Sequence, residues 1–369
     1  MENFEKRAGA VEKLLQDEES KMVFRFRNQY SLTNDKRYLL DLIYESCKKY
    51  GRRYKTNMDL VRFIQKILSV GKADVCIFGA GGAGNVVVQL LYEYGLIENE
   101  NINVYFADNN KELQGKERKH HNPAMRLMIK RPEEIPSTAF VIAAQYDHLH
   151  AVEVYNQCRK LGIDEENIFF PEWLYEYQIG DIYFSKEIYK LGENETFYDI
   201  GSYDLENTRQ FINAAGTYKE IYALEADAVS FNKCEQIAEK NMWSNIHLIN
   251  AAAWSSNTQL RFESAPNGEF GGSKVNIQGG AQTVEALKID DIGGHPTLIK
   301  MDIEGAEEDA LEGARCTILD RKPKLTFSIY HKPFDPIILT EKVLSIRSDY
   351  KFYMRHHTMG IWDTVLYAI

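Results

Sequence analysis

The sequence predicts an α/β protein: two doubly wound, Rossmann-like domains behind a helical N-terminal segment. Three observations carry this. Apolar residues recur at helical spacing up to Ala73 and then give way to short apolar runs. Two cycles of strand, glycine-bearing turn, helix and strand follow, one beginning at Asp74–Phe78 and the other at Phe197–Ile200. A proline and an aromatic run separate them. The implied boundaries are a helical segment 1–71, a first domain 72–172, a connector 173–194 and a second domain 195–369. That division suits a chain of 369 residues at roughly 150 residues per domain.

Taken in order, Val11, Leu14 and Leu15, then Tyr38, Leu39, Leu42 and Ile43, then Leu60, Phe63, Ile64, Ile67 and Leu68 mark helices, the last capped by Thr56 or Asn57. Strand 74–78 leads through Gly79–Gly84 into helix 85–94. Strands 103–107 and 139–143 follow, with a helix over about 147–161. After Pro171 and the run 173–177, strand 197–200 passes through turn 201–204 into helix 206–214. Strand 220–224, helix 229–240 and strand 246–250 come next, then a glycine-rich stretch at 268–280. Strand 297–301 precedes a helix over about 306–319, and 324–330 is a further strand. Segments 351–355 and 363–368 alternate and read as a closing antiparallel pair.

The composition, 44% apolar and 27% charged, supports more than one core and excludes fibrous and disordered classes. No apolar run approaches the length of a membrane span, and the N-terminus lacks a signal-peptide pattern, so the chain reads as cytoplasmic. The five cysteines lie at least 29 positions apart, which argues against a disulfide framework or structural zinc and for reduced, mostly buried thiols. Net charge is −10, unevenly placed: residues 1–72 hold 16 basic against 10 acidic residues, the remainder 28 against 44. So acidic a body is a poor match for nucleic acid. The basic cluster 48–55 could meet phosphates or an anionic membrane surface, but a solvated helix end with basic residues at the negative dipole pole is the favoured reading. The sequence leaves room for a homo-oligomer.

The first motif is Gly79-x-Gly81-x-x-Gly84. The first glycine makes a tight turn, the second admits a pyrophosphate, and the third lets helix and strand approach. Amides at the helix start then face the anion. Asp108 ends the next strand, 24 residues past Gly84, where an acid could hold ribose hydroxyls; the alternative is a turn that binds nothing. The runs CIFGAGGAGNVV, YFADNN, RPEEIP and VIAA resemble the N-terminal domains of bacterial sugar O-acetyltransferases, whose corresponding domain holds a UDP-sugar. The resemblance covers about 72–172 and implies a nucleotide-sugar or dinucleotide site here.

The second motif, Asp199-x-Gly201-x-x-Asp204, has one glycine, which suits a ligand without a pyrophosphate, such as S-adenosylmethionine. Glu225 ends the next strand, 24 residues after Gly201, placed to hold ribose hydroxyls. Asp199, Gly201, Ser202, Asp204, Glu225 and Asp302 are the candidate cofactor contacts. The stretch LIKMDIEGAE (298–307), read with DIGSYDLENTRQF, ALEAD, NAAAW, SIYHKPFD and RHHTMGIWDTVLYAI, resembles the FkbM family of adenosylmethionine-dependent O-methyltransferases over about 190–369. The resemblance implies a class I methyltransferase fold and that cofactor. The chain departs from the family's usual first turn, with Ser202 in place of Ala and Leu205 in place of the second Gly.

Methyl transfer to a hydroxyl needs alignment, which contributes ~7–11 kcal/mol, and a proton acceptor, worth about 10²–10⁴ in rate. His331, Asp302 and Glu304 fall at strand carboxyl ends, where such sheets bind ligands. A neutral imidazole at His331 would be the base; a purely hydrogen-bonding role is the other reading. Asp302, Glu304 and Glu307 could instead serve the following helix. His120-His121, His148-x-His150 and His356-His357 read as surface or packing residues, and no spacing suggests a metal. The expected activity is O-methylation of a sugar hydroxyl on a glycan, glycolipid or nucleotide-linked sugar, to which 44 aromatic residues would lend stacking surfaces. The alternatives are an NAD-dependent sugar oxidoreductase or epimerase, and a non-catalytic nucleotide-sugar-binding protein.

Overall fold

A computed structural model of the chain describes residues 2–120, 122–146, 148–169, 178–264, 274–275, 279 and 282–369. The aromatic run 173–177, His121 and most of the glycine-rich stretch 268–280 lie outside the described residues. The chain divides into two compact units: one comprises 1–32, 180–357 and 362–369, the other 33–179 and 358–361.

The division departs from the expected 1–71 segment. Helices α1 (Glu2–Leu14) and α2 (Glu18–Thr33) belong with the second α/β sheet, whereas α3 (Arg37–Lys48) and α4 (Lys55–Ser69) belong with the first. Helical periodicity reports that a face is apolar, not which sheet it meets. Long-range polar contacts made the difference. Arg7 grips Glu341 at 2.6–3.1 Å, Arg27 donates to Thr364 Oγ1 at 2.6 Å, and Arg355 holds Asp17 at 2.7 and 3.2 Å.

In the unit 33–179, α3 and α4 bury Leu40, Ile43, Leu60, Val61, Ile64 and Ile67 in one core. A 3-10 turn, Gly51–Tyr54, runs directly into α4, so Thr56 and Asn57 sit inside its first turn instead of capping it. Then come β1 (Ala73–Phe78), α5 (Gly82–Glu93), β2 (Ile102–Ala107), β3 (Ile129–Lys130), β4 (Phe140–Ala143), α6 (His148–Lys160) and β5 (Ile168–Phe169). The sheet runs β3-β2-β1-β4-β5, all parallel. Its central strands are continuous apolar runs because helices cover both faces.

The other unit holds β6 (Glu195–Ile200), α7 (Glu206–Ala215), β7 (Tyr218–Leu224), α8 (Ala228–Asn241) and β8 (Ile246–Ile249). A small sheet follows, formed by β9 (Ala252–Ala253), β10 (Thr258–Glu263), β11 (Lys274–Val275) and β12 (Gln282–Leu287). The chain then returns through β13 (Leu298–Met301), α9 (Glu307–Gly313), α10 (Arg315–Arg321), β14 (Lys324–Ser328), α11 (Asp335–Ile346), β15 (Phe352–His356) and β16 (Thr364–Ala368). The seven-stranded order is β15-β16-β14-β13-β6-β7-β8, with β16 antiparallel to both neighbours, as the closing pair requires.

Two expectations need correction here. The helix expected over 306–319 is two helices meeting at Ala314. Gly313 packs against the Trp254 carbonyl, where a Cβ would stand 2.0 Å from the oxygen. Residues 180–194 are not a connector: Tyr183, Phe184 and Tyr189 are buried in the core of this unit. The small sheet and α11 were not anticipated. No described helix is long and apolar enough to cross a membrane.

Candidate active site

The turn after β6 is set by close approach. Gly201 has φ +77°, and a Cβ there would lie 2.0 Å from the Asp302 carbonyl oxygen, so only glycine fits. The Gly201 and Ser202 amides both donate to the Leu224 carbonyl, at 2.9 and 3.0 Å. Beneath the turn lies a fully buried ion pair: Lys300 Nζ stands 3.0 Å from Asp199 Oδ1 and donates to the Gly201 carbonyl at 2.7 Å. Thr208 Oγ1 donates to Asp199 Oδ2 at 2.7 Å.

These contacts revise the roles expected of several residues. Asp199, with no exposed surface, cannot touch a bound molecule; it holds the turn through Lys300 and Thr208. Ser202 is buried, its hydroxyl donating to the Leu224 carbonyl at 3.3 Å. Asp204 accepts the Glu206 amide at 3.1 Å, satisfying a donor at the start of α7. Glu225 ends β7, where its Oε2 accepts the Tyr203 amide at 2.9 Å and its Oε1 the Asp227 amide at 2.8 Å. Burial raises its pKa above the usual carboxylate value despite those amides. Each oxygen retains a further lone pair for a hydroxyl donor.

Next along the edge, β13 and β14 deliver a cluster. Asp302, just past β13, accepts from two phenols: Tyr183 at 2.9 Å on Oδ2 and Tyr330 at 3.3 Å on Oδ1. His331 follows β14 with its side chain only 7% exposed. Its Nε2 stands 3.4 Å from Asp302 Oδ1 and 3.7 Å from Glu304 Oε2, and its Nδ1 3.0 Å from Glu307 Oε1. Glu307 is buried and accepts the Ile303 amide at 3.0 Å. The sequence thus named Asp302, Glu304 and His331, which the fold brings together. It missed Tyr183 and Tyr330 and read Glu307 only as a helix-dipole residue.

Electrostatics correct the role expected of His331. Burial opposes its charged form, but the Glu307 contact and the charges of Glu307, Asp302 and Glu304 outweigh burial and raise its pKa to about 9. At neutral pH the isolated ring therefore carries a proton and is not the free base expected. Burial likewise raises Glu304. It lifts Tyr183 and Tyr330 well above the ordinary phenol value, so both remain donors. The fold also makes a grouping that spacing along the chain did not suggest. Asp302, Glu307 and His331 each offer a donor atom within 4.8 Å of the others. Spacing along the chain could not reveal this, because His331 arrives from the neighbouring strand. His356 and His357 are buried packing residues, 3.0 Å from Thr364 Oγ1 and 2.7 Å from Tyr367 OH respectively.

The glycine turn of the other unit shows a different economy. Gly79 has φ +120°, with a Cβ position 2.5 Å from the Ala144 carbonyl oxygen, and a Cβ on Gly84 would stand 2.2 Å from the Gly79 carbonyl oxygen. Gly81 has φ −81° and open space around it, so neither backbone nor neighbour demands glycine there. Asp108, expected at a ribose, accepts the Ala80 amide on Oδ2 and the Asn110 amide on Oδ1, both at 2.8 Å, and so clamps the turn itself. Arg118, not anticipated, donates to the Ala80 and Gly81 carbonyls at 2.8 and 3.2 Å; burial lowers its pKa.

Residues 199–352 match the family model described as "Methyltransferase FkbM domain". Among solved structures, a methyltransferase FkbM from Methylobacillus flagellatus KT overlaps 88% of this chain and all of its own, at 19% identity and a TM-score of 0.54. At that identity the likeness concerns the fold. A precorrin-6y C5,15-methyltransferase from Geobacter metallireducens GS-15 covers 48% of this chain and 81% of its own, at 14% identity and a TM-score of 0.33. Aeropyrum pernix fibrillarin, solved with natively bound S-adenosyl-L-methionine, covers 48% and 67%, at 12% identity and a TM-score of 0.32. The last two likenesses are too slight to argue from. No curated protein matches the chain. The family model does not reach residues 72–172, and nothing in these comparisons supports their resemblance to sugar O-acetyltransferase domains.

Proposed function

Given that the chain is a methyltransferase, with an FkbM domain at residues 199–352, we propose that it transfers the methyl group of S-adenosylmethionine to a sugar hydroxyl oxygen. The observation that carries the reading is the continuous edge running from Glu225, through the braced turn at Gly201, to the cluster around Asp302. An acid fixed by two amides suits the ribose diol. The cluster supplies carboxylates where an acceptor hydroxyl must lose its proton.

In the step itself, the acceptor oxygen attacks the sulfonium methyl carbon in line. The oxygen–carbon bond forms as the carbon–sulfur bond breaks, and the electron pair remains on sulfur in neutral adenosylhomocysteine. The hydroxyl proton passes to a carboxylate, Asp302 or Glu304. Tyr183 and Tyr330 hold Asp302 in place while this happens. For the unit 33–179 we infer a diphosphate-bearing ligand, a nucleotide-sugar in the first instance, near Gly81. The support is that Gly81 is the one glycine of its motif with no steric reason to be glycine.

The test is calorimetry on the full chain. Glu225→Ala should weaken S-adenosylmethionine binding by about 1.5–3 kcal/mol through loss of charged hydrogen bonds. An unchanged dissociation constant in a folded variant would remove Glu225 from the site. Gly81→Val should weaken UDP-sugar binding and leave S-adenosylmethionine binding intact. Methylated product from a panel of sugar acceptors, read by mass spectrometry, then tests the acceptor class.

A further inference from the structure

We propose that the cluster at the ends of β13 and β14 is a binding site for a divalent first-row metal cation, held by His331 Nε2, Asp302 Oδ1 and Glu304 Oε2. Glu307 orients the imidazole from its other side.

The geometry supplies the argument. Donors about 2.1 Å from a metal lie about 3.0–3.5 Å apart. Nε2 is 3.4 Å from Asp302 Oδ1 and 3.7 Å from Glu304 Oε2, near that separation, and Asp302, Glu307 and His331 each place a donor atom within 4.8 Å of the others. The imidazole is the independent observation. Its side chain is 7% exposed, neither nitrogen makes a hydrogen bond of good geometry, and Nε2 lies within 3.7 Å of both carboxylates. On the opposite side, Glu307 Oε1 sits 3.0 Å from Nδ1 and is itself anchored by the Ile303 amide. A carboxylate behind a ligating histidine fixes its tautomer and ring orientation. With Nδ1 toward Glu307, a cation would displace the ring's second proton and take the Nε2 lone pair on the side of Asp302 and Glu304. Three carboxylates converge on one imidazole, an excess of negative charge that a dication offsets. Two oxygens and one nitrogen suit a cation such as Mn²⁺, which accepts both donor types.

On the reading of this edge as the acceptor site, the cation's contribution would be to polarise the acceptor hydroxyl and ease loss of its proton. Binding of the cation itself does not depend on that reading, and the experiment keeps the two apart.

The full chain, stripped with a chelator, is titrated with Mn²⁺ in the absence of S-adenosylmethionine, followed by electron paramagnetic resonance and calorimetry. The expected result is one Mn²⁺ per chain. Binding should be lost in Asp302→Asn and His331→Ala, weakened about 10–100-fold in Glu307→Gln, and unchanged in Glu225→Ala. Circular dichroism checks folding. Should the first two variants unfold, Glu304→Gln replaces them, since that side chain is 32% exposed and its loss should weaken Mn²⁺ without unfolding the chain. No binding at millimolar Mn²⁺, or equal binding in native chain and folded cluster variants, overturns the proposal. S-adenosylmethionine binding to the stripped chain, run in parallel, reports on the methyl-donor reading alone.

Discussion

The two glycine turns occupy equivalent places, each after the first strand of a parallel sheet, and in each the acid ending the next strand accepts a turn amide, Asp108 from Ala80 and Glu225 from Tyr203; the remaining braces differ. At Gly79–Gly84 the brace is at the surface: Asp108 accepts a turn amide and Arg118 donates to two turn carbonyls. At Gly201 it is underneath, where the fully buried Lys300 and Asp199 hold the turn from inside the sheet. The interior brace leaves the edge above it to other side chains. There Asp302, Glu304, Glu307 and His331 converge, while at the corresponding edge of the other unit Asp108 accepts the Ala80 and Asn110 amides. The same architecture thus carries a cluster of acids around a histidine in one unit and a turn clamp in the other. Function lies in the site and not in the fold.

Removing the interior brace should have the largest effect. Lys300→Met leaves the Asp199 carboxylate buried without its counter-ion, which costs about 3–5 kcal/mol. Asp108→Asn, the matching change at the surface brace, removes a charged acceptor in a partly exposed place and should cost about 0.5–1.5 kcal/mol. Denaturant unfolding of both variants checks the contrast. Equal losses would mean that the two turns are held alike. The double change Asp199→Leu with Lys300→Met should recover part of the loss, since no charge then remains buried.

Much of this comparison was legible in the sequence, and the boundary of legibility is physical. Strands β1, β6, β7 and β13 announce themselves as apolar runs ending at a glycine or an acid, so the edge residues Gly201, Glu225 and Asp302 could be named in advance. The closing pair was legible from its alternation. What could not be read was pairing across distance. Nothing local to Lys300 says that it neutralises Asp199, because a lysine at a strand's third position looks like a solvated one. Tyr183 reaches Asp302 from 119 positions away, and Arg355 reaches Asp17 from 338. Two signals were present and overlooked. Leu260 and Phe262 alternate as a strand should, and Pro336 followed by Ile337, Ile338 and Leu339 is a helix start.

Within the unit 33–179, the glycines of one motif should separate by cause. Gly84→Ala drives a methyl group against the Gly79 carbonyl oxygen, a backbone-to-backbone clash that costs about 1–3 kcal/mol of stability. Gly81→Ala meets open space at an ordinary φ and should change stability by no more than about 0.5 kcal/mol. Thermal unfolding of the pair sharpens the comparison. A destabilised Gly81→Ala would assign that glycine to the fold and withdraw the support it lends to a ligand.

The smallest effect tests where the N-terminal helices belong. Asp17, just before α2, is held by Arg355 of β15 at 2.7 and 3.2 Å and by the Ser20 amide and hydroxyl. Burial opposes its charged form, but the Arg355 and Ser20 hydrogen bonds and the Arg355 charge outweigh burial and lower its pKa from 3.8 to about 2. A pKa lowered in the folded state stabilises above the unfolded value, and that stability disappears as pH falls through the folded one. The nominal value of ~2.4 kcal/mol is discounted to about 1 kcal/mol, because the Asp17 side chain is 37% exposed and solvent screens the pair. Asp17→Asn should therefore lower unfolding free energy by about that amount at neutral pH, and the deficit should vanish as pH approaches 2. Hydrogen exchange locates the loss: amides of α2 and of the β15–β16 pair should exchange faster, and those of α3 and α4 should not. Faster exchange in α3 instead would return residues 1–71 to a single helical segment, the grouping that periodicity alone suggested.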